Sequence, residues 1–251
     1  DILVYVLASS GYRAGGFNRG GILTLASRYE SDTLWNYEVG VRTSWLDNRL
    51  TTNAVGYYID WSDIQLSAFD ADSFRQRIQN VGKAEIFGME TEIRYRTTEN
   101  LYLSVNYAYT DASLAADYIN TSTSPATIIA ENGDTLPGSS KHTFSLSADW
   151  RMSLTSSLDL QAGGSYVYTG SRSNSLGTAA ALTSGFLEIP SLEVVNLSLG
   201  VIHDSGVSAS LFAKNLFDER EVRFQAVLGT ALESNGMNRP RTIGLNVGYS
   251  F

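Results

Sequence analysis

The side chains best equipped for chemistry are arginines and a tyrosine in the longer segments between apolar stretches. A guanidinium presents a planar fork of donors, so several of them around one site can hold an anionic chelate through paired hydrogen bonds. Simple solvation at the surface is the alternative explanation for the same residues. The candidate ligand-binding residues are Arg13, Arg19, Tyr29, Arg75, Arg77, Arg172, Arg220 and Arg223.

Other kinds of site chemistry find little support in the sequence. The chain has no cysteine, which removes thiol catalysis and thiolate metal sites. Its two histidines, His142 and His203, lack the paired spacing of a metal site, and a Ser-His-acid site needs convergent groups. We therefore expect no enzyme activity, no catalytic or metal-binding residues and no cofactor. A net charge of −8 without a basic stripe disfavours nucleic acid as a partner.

The segments that must position these residues alternate apolar and polar residues with period two, which is the pattern of a β-strand with one apolar face. The alternation is clearest in the last stretch, Arg241 to Phe251, whose length at a tilt near 45° matches the roughly 25 Å apolar height of a bilayer. No apolar run is long enough for a spanning helix, so a membrane location requires a barrel. A soluble sandwich is the alternative.

About ten such strands follow one another, and short turns near Asp47, Glu99, Ser156 and Ser205 alternate with longer connections. In a meander the short turns then share one rim and the long loops the other, as in outer-membrane barrels. Aromatic residues concentrate at both ends of the outward faces, as expected at two membrane interfaces. We predict an all-β fold, a transmembrane antiparallel up-and-down β-barrel, with residues 1–251 as a single transmembrane β-barrel region.

Short motifs then follow one another in a fixed order along nearly the whole chain. They are Gly11 to Asn18, Tyr37 to Gly40 with the turn at Trp45, Asn80 to Glu90, Lys214 to Asp218, Arg239 to Arg241, and the final Phe251. In this order and spacing they resemble the C-terminal part of the barrel of TonB-dependent outer-membrane receptors.

The resemblance implies energised uptake of a scarce nutrient, such as a ferric siderophore, across the bacterial outer membrane. The implied partners are outer-membrane lipid, a small-molecule or metal-chelate substrate, and TonB, which acts through an N-terminal plug region that we do not find in this sequence. Tyr249 and Phe251 resemble the signal recognised by the outer-membrane assembly machinery. A self-contained small barrel acting as a passive pore or structural protein is the alternative, and a barrel enzyme is a weaker one.

The charged residues of the strands fall on alternate positions, which we predict to face the lumen. They line a substrate path or contact the plug, or they form an ordinary solvated lumen face. The predicted lumen-facing residues are Glu38, Arg42, Glu90, Glu92, Arg94, Asp149, Arg151 and Lys214. The predicted lipid-facing residues are Val39, Val41, Leu103, Val105, Leu146, Leu160, Leu197, Leu199, Leu245 and Val247.

The two end strands decide whether ten strands are a complete barrel. Unpaired strand edges are costly in hydrocarbon, so the sheet must close on itself, pair with another chain or belong to a larger wall. The resemblance favours the larger wall. We therefore predict that Ile2 to Ser10 and Ile243 to Phe251 are not ladder partners, whereas a closed ten-stranded barrel would pair them.

Overall fold

The computed structural model describes residues 1–18, 28–70, 75–120, 127–174, 176, 188–228 and 232–250. Within these residues ten long strands form one sheet, and shorter strands form two-stranded hairpins beside it. In chain order the strands are β1 (Ile2–Arg13), β2 (Gly16–Phe17), β3 (Arg28–Tyr29), β4 (Asp32–Trp45), β5 (Leu50–Ser62), β6 (Gln65–Asp70), β7 (Arg75–Asn80), β8 (Ala84–Arg96), β9 (Leu101–Leu114), β10 (Tyr118–Asn120), β11 (Thr127–Ala130), β12 (His142–Thr155), β13 (Leu158–Thr169), β14 (Arg172–Ser173), β15 (Glu188–Ile189), β16 (Leu192–His203), β17 (Val207–Lys214), β18 (Val222–Leu228), β19 (Leu232–Met237) and β20 (Thr242–Tyr249).

The large sheet is an up-and-down meander, as predicted. Its order is β1-β4-β5-β8-β9-β12-β13-β16-β17-β20, and every neighbouring pair is antiparallel. Short turns join β4 to β5, β8 to β9, β12 to β13 and β16 to β17, so all of them lie on one rim, which we call the turn rim. The opposite end is the loop rim. In the part of the chain that the structure describes, no helix has the length and apolarity needed to cross a membrane.

The end strands leave the sheet open. Among the described residues, β1 pairs only with β4 and β20 only with β17, and no ladder joins β1 to β20. The prediction that the end strands are not partners is therefore confirmed, and the closed ten-stranded alternative is wrong. The free N–H and C=O groups of both edges need further strands beside them in a bilayer, so the sheet is part of a larger barrel wall.

The pairing register sorts the side chains into two faces, because directly opposite residues of an antiparallel ladder lie on the same face. One row runs from Val41 through Ala54 and Thr91 to Tyr107 and Phe144. We call this side the apolar face. It keeps large hydrophobic side chains exposed, among them Val39, Leu197, Leu199, Leu245 and Val247. An exposed apolar sheet face of this extent is unfavourable in water and is typical of a lipid-facing surface.

The longer connections contain short strands that the sequence prediction did not resolve. Residues 50–66 divide into β5 and the start of β6 because Asp63 takes a positive φ of 55°. The returning segment divides at Gly82, whose φ is 96°, a value that suits glycine. Hydrogen bonds of 2.9 Å between Ile64 and both Val81 and Gly82 continue the ladder across the break.

A compact apolar cluster lies at the loop rim. It is formed by residues of β8 and β9 and of the connections that fold over them. The segment after β11 also belongs to it, and the backbone N–H of Leu136 in that segment donates to the oxygen of Ala112 in β9 at 2.9 Å. The buried members are Ile64, Val81, Ala84, Ala112, Leu114, Ala130 and Leu136. The described part of the chain therefore has its buried core outside the apolar band, at the end where the loops meet.

Candidate functional site

The charged residues in the middle of the strands share the face opposite the apolar face, whereas Asp60, Glu85, Asp111 and Glu193 lie in the apolar rows close to the loop rim. One row joins Arg42, Asn53, Glu92, Asn106 and Ser145, and the neighbouring rows follow the same alternation. We call this side the polar face. Its register places on one surface all of the charged residues that the sequence suggested for the lumen, Glu38, Arg42, Glu90, Glu92, Arg94, Asp149, Arg151 and Lys214. That this surface lines a lumen stays a prediction.

Charges on the polar face are partly neutralised by their neighbours. Arg94 pairs with Glu92 at 2.6 Å and Arg151 pairs with Asp159 at 2.7 Å. Lys214 lies 5.5 Å from the ring centre of Phe212, within cation–π range. Such pairs are partly exposed, so they contribute little to stability and leave the face hydrophilic.

Two depressions open along the polar face. One, of about 440 Å³, includes Asn53, Glu90, Glu92, Asn106 and Thr143 in its lining. The other, of about 460 Å³ near the turn rim, is lined in part by Arg94, Arg96, Tyr102, Ser104 and Asp149. Two carboxylates, Glu90 and Glu92, therefore line the first depression, and the guanidinium groups of Arg94 and Arg96 line the second.

The predicted loop arginines do not form one cluster among the described residues. Arg13 is the last residue of β1 at the loop rim, Tyr29 lies in the connection that follows it, and Arg220 lies in the last connection. The backbones of Arg75 and Arg77 belong to β7, but their side chains lie outside the described part of the structure. Arg19 and Phe251 are also outside the described residues, whereas Tyr249 is the last residue of β20 and is exposed.

Arg13 is held by a buried acidic residue. Its guanidinium donates to the carboxylate of Asp32, with a distance of 3.1 Å from Nε, and to the backbone oxygen of Gln65 at 2.8 Å. The Asp32 side chain is only 3% exposed and also accepts from the backbone N–H of Gln65 at 3.1 Å. The guanidinium of Arg13 therefore fixes the local fold, and its charge is already compensated.

Amide side chains fasten the first connection to the β6–β7 hairpin, a role that we did not predict from the sequence. Gln65 is buried, and its Nε2 donates to the backbone oxygens of Ala14 at 3.1 Å and Glu30 at 2.9 Å. Asn80 donates to the oxygen of Asp63 at 2.6 Å and accepts from the N–H of Glu30 at 2.7 Å. A single Gln or Asn within a strand-like stretch of sequence does not indicate that its side chain hydrogen bonds to a distant segment.

A second set of polar contacts closes the last connection. Asn215 adopts a positive φ of 51°, and its Nδ2 donates to the oxygens of Glu219 at 2.8 Å and Arg239 at 2.9 Å. Asp218 accepts from the N–H of Arg241 at 2.8 Å and pairs with Arg220 at 3.0 Å. The hydrogen bond from Arg241, and then the bond from Arg220, lower the pKa of Asp218 from its ordinary value.

Among the described side chains, the structure brings together two predicted ligand-binding residues, Arg172 and Arg223. Arg172 lies on β14 and its Nη2 donates to the backbone oxygen of Arg223 at 2.7 Å. Burial lowers the pKa of the Arg223 guanidinium, and the charge of Arg172 lowers it further. The Nη1 of Arg223 is buried and has no hydrogen-bond acceptor among the described residues.

The histidines lie at opposite ends of the sheet. At the loop rim, His142 Nδ1 is 2.9 Å from the hydroxyl of Tyr107. His203 ends β16 at the turn rim, with its Nδ1 2.9 Å from the hydroxyl of Ser205. The described residues contain no group of three or more His, Cys, Asp or Glu side chains placed to hold a metal ion. A convergent site of histidine, nucleophile and acid is therefore not formed by these two residues.

Comparisons with known family models, proteins and structures all point to the same family. The family described as TonB dependent receptor-like, beta-barrel matches residues 1–216. The pesticin receptor of Yersinia pestis is 24% identical over 257 aligned residues, covering 100% of this chain and 34% of that protein. The chain thus spans about a third of the length of the relatives that it matches.

Solved structures show the same fold. The ferric yersiniabactin uptake receptor FyuA from Yersinia pestis aligns with a TM-score of 0.78 and 21% identity over 100% of this chain and 35% of that one. The copper transporter OprC aligns with a TM-score of 0.69 and 18% identity over 99% of this chain and 38% of that one. With its two-faced open meander and this family match, the chain belongs to the TonB-dependent receptors of the outer membrane, as part of their β-barrel.

Proposed function

We propose that the chain is part of the wall of a TonB-dependent transporter that takes up a scarce nutrient, most simply a ferric siderophore, across the outer membrane. The observation that carries the proposal is the two-faced sheet of a TonB-dependent receptor barrel. Its apolar face suits lipid, while its polar face offers the charged, hydrated surface along which a polar cargo could move. The lumen-facing role of Glu38, Glu90, Glu92 and Arg94 belongs to this proposal.

The cargo proposed is an anionic metal chelate. Support comes from the arginines on the loop-rim hairpins, because guanidinium groups attract chelates that carry carboxylates or other oxygen anions and repel bare cations. The similar proteins named above include an uptake receptor for ferric yersiniabactin and a copper transporter, so a copper complex is the other cargo to compare.

The partners proposed follow from the family. TonB would supply energy through a plug region, and the outer-membrane assembly machinery would recognise Tyr249 and Phe251. A small-molecule or metal-chelate substrate would enter from the loop rim, where the long connections and the candidate arginines lie.

Uptake by whole cells tests the proposal. Cells that lack the gene, and the same cells carrying the full-length gene, are starved of iron and given ⁵⁵Fe bound to a panel of carboxylate, catecholate and hydroxamate chelators, with ⁶⁴Cu in parallel. We expect gene-dependent ⁵⁵Fe accumulation that disappears when TonB is deleted. Accumulation that persists without TonB would instead indicate a passive pore, and gene-dependent uptake of copper alone would replace the iron chelate as the cargo.

A matched pair of variants separates the polar face from the rest of the wall. Glu92→Gln removes a charge from the polar face, whereas Thr91→Ser changes the neighbouring residue on the apolar face without altering charge. If the polar face guides the cargo, the first variant changes uptake kinetics and the second leaves them as in the wild type. Equal uptake by both variants at equal surface expression would contradict a guiding role for Glu92.

A further inference from the structure

The charge of the polar face changes sign along β8. Four alternate positions of this strand, which follow one another on the polar face towards the turn rim, carry Glu90, Glu92, Arg94 and Arg96. The two carboxylates line the first depression described above, and the two guanidinium groups line the second. An anion near the turn rim is therefore attracted by the arginines, while the carboxylates oppose its movement towards the loop rim.

A further arginine lies directly beside Arg96. Arg49 precedes β5, and its backbone oxygen accepts from the N–H of Arg96 at 2.8 Å, next to the pair of Leu50 and Tyr95 in the ladder. Like charges at directly opposite positions of an antiparallel ladder destabilise it. Neither Arg49 nor Arg96 forms an ion pair with a described residue. The repulsion between the two guanidinium groups is therefore not offset by a described carboxylate.

An open space adjoins these two arginines. The depression near the turn rim, of about 460 Å³, is lined by both of them and by Arg94, whose guanidinium is held by Glu92 at 2.6 Å. Its lining also includes three residues with hydroxyl groups, Thr51, Tyr102 and Ser104. Guanidinium and hydroxyl groups are hydrogen-bond donors, so the depression suits a ligand that is rich in acceptor oxygens.

Two carboxylates line the same depression without neutralising the arginines. Neither Asp47 nor Asp149 forms an ion pair within the part of the chain that the structure describes. Asp149 is opposite Tyr102, which in turn is opposite Arg96, so Asp149 and Arg96 lie two strands apart, about 10 Å at the ladder spacing. Attraction over that distance between exposed groups is largely screened by salt.

We propose that the turn-rim depression binds a free oxyanion of the phosphate class, either inorganic phosphate or a small phosphate monoester, between Arg49 and Arg96. A guanidinium fork takes two oxygens at a time, so two forks are matched by the three or four oxygens of a phosphate better than by the two of a carboxylate. Binding also offsets the repulsion between the two arginines. The depression is larger than one phosphate group, which leaves room for an organic part beside Tyr102.

Equilibrium dialysis of ³²P-labelled inorganic phosphate against the full-length receptor in lipid nanodiscs, at constant ionic strength, tests the site. Arg49→Gln and Arg96→Gln should each weaken phosphate binding by about 10- to 100-fold, the range for losing hydrogen bonds to a charged group. Arg96→Lys keeps the charge without the fork and should fall between the wild type and Arg96→Gln. Radiolabelled citrate, a carboxylate probe, should bind more weakly than phosphate. Folding is verified for each variant by heat-modifiable gel mobility.

Arg151→Gln is the matched control, because Arg151 is an exposed arginine of the same face that pairs with Asp159 at 2.7 Å and lies outside the lining of the depression. It should bind phosphate as the wild type does. In urea-dependent unfolding, added phosphate should stabilise the wild type and Arg151→Gln more than Arg96→Gln. The proposal is overturned if the wild type binds no phosphate below about 10 mM, if citrate binds more tightly than phosphate, or if Arg151→Gln loses as much affinity as Arg96→Gln.

Discussion

Placing an arginine at Leu199 tests the assignment of the apolar face most directly. Leu199 is 53% exposed and lies midway along β16 between two rows that carry aromatic residues. Towards the loop rim, Val195 pairs with Tyr166 of β13. Towards the turn rim, β16 ends at His203, and the short turn after it leads to Val207, which pairs with Tyr249 of β20. At about 3.3 Å per residue and a tilt near 40°, each row lies about 10 Å from Leu199 in depth.

A charge at that depth is expensive in a bilayer. We expect Leu199→Arg in the full-length receptor to cost about 2–4 kcal/mol of folding free energy, because the guanidinium must enter the middle of the hydrocarbon. This corresponds to a decrease of about 30- to 900-fold in the folding equilibrium constant. Urea-dependent folding into phospholipid vesicles, followed by tryptophan fluorescence and gel mobility, measures the difference.

Ser198→Arg supplies the control, since Ser198 is adjacent on the same strand, exposed, and on the polar face. A hydrated face should accept the same side chain at little cost. The assignment of the two faces is refuted if Leu199→Arg leaves the folding free energy unchanged, or if Ser198→Arg costs as much.

The remaining predictions concern close packing, buried charge and pH. Gly40→Ala should destabilise the barrel by about 1–3 kcal/mol in the same urea assay, because its Cβ would fall on the Tyr5 ring; Gly56→Ala meets nothing closer than 4.0 Å and should be neutral. Asp32→Asn should speed limited proteolysis of the first connection, since it removes the buried negative charge that pairs with the Arg13 guanidinium and replaces one carboxylate oxygen with an NH2 donor. Lowering the pH should loosen the connection after β17 in hydrogen exchange, and Asp218→Asn should abolish that dependence.

The direction of the pH effect follows from the lowered pKa of Asp218. A carboxylate with a lower pKa in the folded state stabilises the fold at pH values above its unfolded pKa of about 3.9. That stabilisation is lost as the pH falls through the folded pKa. Faster exchange on raising the pH above neutrality, after correction for intrinsic exchange rates, would contradict the role given to this carboxylate.

Two further comparisons check the other two variants. Glu30→Gln alters an exposed carboxylate that pairs with Arg28 at the surface, so it should leave proteolysis of the first connection unchanged. If Asp32→Asn behaves like Glu30→Gln, the buried carboxylate does not hold the connection. If Gly56→Ala is as harmful as Gly40→Ala, the Tyr5 ring is not the cause.

Strand number, order and the division into faces could be predicted because each depends on a local property of the sequence. Alternation along β9 and β16 identifies one apolar side, and short turns such as the one at Asp47 fix the neighbour of each strand. The loop-rim hairpins could not be predicted in this way. β14 and β15 have two residues each, too few for any periodicity to show.

The candidate site was only partly predictable for a related reason. Residue type alone suggested that Arg172 and Arg223 could bind an anion, but their meeting depends on a bulge and on the packing of two hairpins. Asn215 is different, because asparagine is among the few residues that readily take a positive φ, and its place after the regular alternation of β17 could have indicated a tight turn. Gln65 and Asn80 carry no comparable signal.

The described part of the wall buries apolar side chains in two ways, against lipid along the spanning strands and inside the cluster at the loop rim. The spanning strands are stabilised by ladder hydrogen bonds and contact with lipid, whereas Ile64, Leu114 and Leu136 are removed from water in the ordinary way. The heat capacity change of unfolding depends on the apolar surface that becomes exposed to water. Only the loop-rim cluster therefore contributes to it in this way. The loop-rim cluster should therefore melt in a separate calorimetric transition at lower temperature, with a midpoint that is insensitive to acyl-chain length, while the transition of the strands shifts with bilayer thickness.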